Sequence, residues 1–141
     1  MKGMNRRSTL ALGLSATTAP LFAFATPAGA AVPAYGPTDG KEIAPGVRLV
    51  ELGTFNSDIP AYKSIFMVDI VFQPGAVAPE SAMMDDMMCY IVAGEFKIKK
   101  ADKEFAIKEG EMYTCAKGKT DMATNTGAGV GIHRIGILKT A

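Results

Sequence analysis

From residue 47 onward, apolar residues recur in short runs: Val47-Leu52, Ser64-Phe72, Met88-Val92, Glu95-Lys99, Glu104-Lys108, Glu111-Cys115 and Gly131-Leu138. Phe66, Val68, Ile70 and Phe72 alternate with other residues, and Phe96 and Ile98 alternate with Lys97 and Lys99. A period of two is the mark of a half-buried strand. Turn chemistry separates the runs, with Gln73-Pro74-Gly75 after the first long one, Ala93-Gly94 joining two more, and Ala101-Asp102 between lysines. No long helical stripe follows residue 46. Short strands about every ten residues, joined by glycine-containing turns, predict an all-β antiparallel sandwich or barrel.

The chain before residue 47 is different. Residues 31–46 carry Pro33, Gly36, Pro37, Gly40, Pro45 and Gly46, too many breakers for a helix or an inner strand, and read as an N-terminal arm leading into a domain at 47–141. In residues 1–30, Asn5-Arg6-Arg7-Ser8-Thr9-Leu10 precedes an Ala/Leu-rich run to Phe24 and the small residues Ala28-Gly29-Ala30. That is the pattern of a removed export signal peptide, with a mature start at Ala31. The paired arginines resemble a twin-arginine signal, with Thr9 and Ala11 departing from the preferred residues; an ordinary unfolded-export signal is the alternative. A lone membrane anchor competes, but Pro20, Pro27 and Thr17-Thr18 interrupt a run that needs about 18 apolar residues to span. The expectation is a periplasmic or secreted protein with no membrane span in its mature chain.

Charge then narrows the partners. The 141 residues carry 15 Lys+Arg and 14 Asp+Glu; removing Lys2, Arg6 and Arg7, and no acid, leaves 12 against 14, a net charge of −2. The lysines at 97, 99, 100 and 103 are interleaved with Glu95, Asp102 and Glu104 and read as a solvated hairpin, so nucleic acid is not an expected partner. Phosphate loops, nucleophile elbows and zinc-finger spacings are missing from the sequence. Cys89 and Cys115 are the two cysteines, and in an oxidising compartment a disulfide, two buried thiols and a metal thiolate all remain open.

Two blocks carry a family likeness. Pro74-Gly75-Ala76-Val77-Ala78-Pro79, a polar stretch, and Tyr90-Ile91-Val92-Ala93-Gly94-Glu95-Phe96 resemble the first cupin motif; Gly110 through Asn125 is similar to the second. The resemblance covers about residues 47–138 and implies a cupin-like double-stranded β-helix, or jelly-roll, barrel. Aligned on Gly75 and Gly94, the two histidine positions of the first motif fall on Ser81 and Met83 and its glutamate on Met87. In the second, Ala116 stands for the proline, Asp121 for the histidine, and Gly118 and Asn125 are kept. The three imidazoles and carboxylate with which cupins hold iron, manganese, nickel or zinc are therefore replaced. The resemblance also implies inward-facing positions for Tyr113 and Cys115, and a possible homodimer, since such single domains often pair.

The replacements have a chemistry of their own. Met83-Met84-Asp85-Asp86-Met87-Met88-Cys89 places four thioethers and a thiol within seven residues, a soft donor set that selects Cu(I). The competing reading is plain packing: Met83, Met84, Met87 and Met88 stand at the spacing that one turn of a helix would bury, and Pro79 suits its start. Strand alternation instead directs Met87, Cys89 and Ile91 to one face. Asp121 is costly to bury without a partner, which Lys119, Arg134 or a bound cation would supply. His133, the single histidine, shares a face with Ile135 and Ile137. The candidate metal ligands are thus Met83, Met87, Cys89, Asp121 and His133, with Ser81, Tyr113 and Cys115 as further ligand-binding residues. Three functions follow: a periplasmic binding module for a small molecule or soft ion such as Cu(I); an enzyme with an unusual or metal-free centre, using Asp121 or Tyr113 as acid or base; and a structural or interaction barrel.

Overall fold

The computed structural model describes residues 31–141, so the export-signal reading of residues 1–30 lies outside the described residues. Ten strands follow in order: β1 Lys41–Ala44, β2 Val47–Asn56, β3 Ser64–Phe72, β4 Val77–Ala82, β5 Asp86–Ala93, β6 Glu95–Lys100, β7 Lys103–Lys108, β8 Met112–Cys115, β9 Thr120–Asn125 and β10 Gly131–Lys139. They form two sheets, of order β1-β2-β3-β10-β5-β8 and β4-β9-β6-β7, with every pairing antiparallel. The all-β architecture read from the alternation is the one observed. No helix occurs among the described residues, and none there is long and apolar enough to cross a membrane.

Alternation places Val68, Ile70 and Phe72 of β3, Ile91 of β5, and Phe96 and Ile98 of β6 in one buried core. Phe72 and Phe96 meet edge to face across the two sheets, with centroids 5.0 Å apart. Gly131 at the start of β10 makes room for that contact, since a Cβ there would lie 2.5 Å from Phe96 Cζ. At the β5–β6 turn, Gly94 holds φ +88°, and its would-be Cβ lies 3.0 Å from the Cα of Gly131. Bare backbone is required on both counts.

Two features differ from the sequence expectation. The stretch taken as an arm contains β1, which pairs with β2 at the edge of the larger sheet. An edge strand needs partners on one side only, so Pro45-Gly46 turns the chain without breaking a ladder. The helical alternative for Met83–Met88 is overturned: Met83 ends an extended segment, Met84-Asp85 is a bend, and Asp86 opens β5. That bend is pinned at several points. Met83 N–H donates to the Lys119 carbonyl at 2.9 Å, Asp86 Oδ1 accepts from Lys117 N–H at 2.8 Å, and Lys139 Nζ lies 2.6 Å from Asp85 Oδ2.

The outer face of the larger sheet carries a buried charge. Asp69 of β3 is wholly buried and takes a bidentate pair from Arg134 of β10, Nε to Oδ1 and Nη2 to Oδ2, both 2.8 Å. Tyr35, from the segment before β1, donates its hydroxyl to the same carboxylate at 2.6 Å. Burial and that bond push the Tyr35 pKa up to about 12. Arg134 is therefore not the partner of Asp121, and Lys119 is exposed on its loop.

Candidate functional site

A cavity of about 320 Å³ opens between the sheets beside the core. Val68, Ile70 and Phe72 of β3 and Ile135 and Ile137 of β10 line it from the larger sheet, and Ala78, Ser81 and Ala123 from the smaller one. Met87 and Cys89 of β5, which pairs with β10, and Met83 line it as well. Here β5 follows the predicted alternation: Cys89 and Ile91 point inward and are buried, whereas Met88 and Tyr90 are exposed on the outer face.

The residues singled out from the sequence divide into two groups. Ser81, Met83, Met87, Cys89, Asp121 and His133 line this one cavity, Ser81 at its exposed rim. Tyr113 and Cys115, both on β8, do not line it. Tyr113 acts from behind: its hydroxyl donates to Asp121 Oδ2 at 2.8 Å and its ring stacks on that of His133 with centroids 5.6 Å apart. Cys115 is buried and free, its backbone paired with that of Met87.

The polar groups of the cavity are under-satisfied. Asp121 Oδ1 and His133 Nε2 are buried and, among the described residues, without a hydrogen-bond partner. Burial pushes the Asp121 carboxyl above the ordinary carboxylate range, and the Tyr113 bond and Lys100 only partly offset it. Burial also brings His133 down to about 4, so its imidazole is neutral at pH 7. Cys89 is held protonated: burial, and then the Asp121 charge, push its thiol up to about 12. The Tyr113 hydroxyl is raised still further by burial and by its Cys89 and Asp121 neighbours. The sequence pointed to Asp121 and His133 separately; only the fold shows that one comes from each sheet to face the same cavity.

The donor set does not fit the hard-metal centre usual in cupins. One imidazole is present, and among the described residues no three His, Cys, Asp or Glu side chains come together as a group able to hold a metal ion. Serine hydroxyl and thioether sulfur are weak ligands for iron or manganese.

No protein-family model and no curated protein sequence matches the chain. Solved structures do resemble it. One is the cupin domain of an XRE-family transcriptional regulator from Enterobacter cloacae, at 14% identity and a TM-score of 0.57 over 68% of this chain and 99% of that one. Another is an RmlC-like cupin from Shewanella frigidimarina, at 21% and 0.56 over 74% and 88%. A third, an RmlC-like cupin-family protein with a double-stranded β-helix fold from Methanocaldococcus jannaschii, gives 16% and 0.56 over 72% and 88%. At these identities the likeness carries the fold: the chain is a cupin-like double-stranded β-helix.

Proposed function

We propose that this cupin-like barrel is a binding module, exported to the periplasm or secreted, that holds a small molecule in its cavity. The observation that carries this reading is the pair of buried, unpartnered polar atoms, Asp121 Oδ1 and His133 Nε2, on residues that line a mostly apolar space. A buried polar group without a partner costs about 1–3 kcal/mol, and a bound molecule with complementary groups recovers it. A pocket of mostly apolar walls with a few convergent polar groups is the usual form of a small-molecule site. Acid–base catalysis has less support, because the Tyr113 hydroxyl is committed as a donor to Asp121 and burial opposes its ionisation.

Native mass spectrometry of the gently purified protein tests this reading. A non-covalent small-molecule adduct is expected on the parent and not on Ile135→Trp, whose indole fills the cavity. Equal adducts on both proteins would move the ligand elsewhere.

A second reading is favoured by Met83, Met87 and Cys89 lining the same space: a soft ion such as Cu(I), held by two thioethers and a sulfur that gives up its proton on binding. Competition against a Cu(I) chelator is expected to show Met83→Leu and Met87→Leu each weakening the metal about tenfold. The fold itself tolerates leucine at a cost below about 1.5 kcal/mol. Parent-like affinity in both variants removes the sulfur site.

A further inference from the structure

We infer that the molecule held in this cavity is a small organic amine, bound as its ammonium ion with an apolar body. This deepens the cavity-binding reading and rests on it. The argument is one of charge and hydrogen-bond sign. Among the cavity-lining residues there is one acid, Asp121, and no lysine or arginine. Arg134 is committed to Asp69 on the outer face, and Lys100 donates to the Thr114 carbonyl and lies over the Tyr113 ring. Lys100 therefore offsets part of the Asp121 burial from outside the lining, but Asp121 Oδ1 itself has no hydrogen-bond donor among the described residues.

Most other polar atoms of the lining accept rather than donate, the exceptions being the Ser81 hydroxyl at the exposed rim and the Cys89 thiol, a weak donor. His133 is neutral, and a neutral imidazole offers Nε2 as an acceptor when the proton sits on its other nitrogen. Met83 and Met87 add thioether sulfurs, weak acceptors with no proton to give. An ammonium brings several N–H donors and a positive charge, which is what a carboxylate oxygen without a donor and a neutral imidazole nitrogen both lack. The burial that raises the Asp121 pKa is the cost that such a counter-charge relieves. A carboxylate or phosphate would set like charge against Asp121 with no cation in the lining to receive it. The remaining walls, with Ile70, Ile135 and Ile137, suit a hydrocarbon body, and about 320 Å³ lies at the small end of ligand sites.

Three probes share one body and differ in the charge of the head: benzylamine, benzyl alcohol and benzoate. Each is titrated into the protein while the methyl signals of Ile70, Ile135, Ile137, Met83 and Met87 are followed by NMR. Benzylamine is expected to bind at least about tenfold tighter than benzyl alcohol, the gain of a charge-assisted bond over a neutral one, and benzoate is expected to bind weakest. Asp121→Asn, which keeps an acceptor for Tyr113, is expected to bring the amine down to the affinity of the alcohol and to leave the alcohol within about threefold. The probe series in the parent decides the matter even if that variant folds poorly. Alcohol or benzoate binding as tightly as the amine overturns the ammonium and leaves the cavity reading standing. Silence of all the cavity methyls toward all three probes overturns both.

Discussion

Replacing Asn125 by leucine is expected to destabilise the fold by about 4 kcal/mol, the sum of several lost bonds and stranded carbonyls. The side chain is 1% exposed and joins three separate pieces of backbone. Its Nδ2 donates to the carbonyls of Phe72 and Gln73, both at 3.2 Å, and of Gly129 at 2.9 Å; its Oδ1 accepts from Gly127 N–H at 3.0 Å. Leucine has a similar shape, so the variant isolates the polar contribution from the packing. Each buried group left unsatisfied costs about 1–3 kcal/mol, and the ends of β3 and β9 and the loop into β10 lose their common tie. Urea unfolding of parent and variant measures the difference, and a loss below about 1 kcal/mol would mean that the bonds are made equally well with water.

Acidification should cost roughly 3 kcal/mol through His133 alone. The unfolded imidazole takes up its proton near 6.5, whereas the buried one does so only near 4. Between those values the unfolded state binds more protons and is favoured as pH falls. The contribution is therefore complete above about pH 6.5 and is lost on the way down through pH 4. Asp121 works in the opposite direction, because its raised pKa makes the folded state the better proton binder. Other carboxylates titrate as well, so the informative measurement is a comparison: unfolding free energies at pH 7 and pH 4 for the parent and for His133→Leu. The parent should lose roughly 3 kcal/mol more than the variant. Equal losses in the two would show that His133 is protonated in the folded protein without penalty.

Much of this architecture was legible in the residues, and the omissions have physical causes. The runs at 64–72 and 95–99 announced β3 and β6 because their inward positions are large and apolar while β6 faces water with lysines. β9 gave no such signal: its inward residues are Asp121, Ala123 and Asn125, polar or small, so the hydrophobic alternation vanishes although the backbone alternation persists. β4 is mostly exposed, and β1 is four residues long beside Pro45-Gly46. The spacing of Met83, Met84, Met87 and Met88 imitated a helix because a two-residue bend separates the end of one extended segment from the start of another.

For the site, motif spacing brought Ser81, Met83, Met87 and Asp121 to the cavity, and strand parity brought Cys89 and His133. The cupin resemblance implies an inward Tyr113, but its role as the donor that orients Asp121 from behind needs three dimensions. So did the ion pair of Asp69. An acid at an outward position of a strand ordinarily faces water, and nothing local told that Tyr35, 34 residues away, would close over it.

That closure bears on how the barrel can be moved between proteins. A graft beginning at the first strong hydrophobic run, Val47, would carry Asp69 and Arg134 but leave behind the hydroxyl that completes their bonding and the strand that borders β2. The transplantable unit is set by a single tyrosine in a proline- and glycine-rich lead-in, and any chimera, circular permutation or insertion has to keep the stretch from Tyr35 onward attached to the sheet it covers.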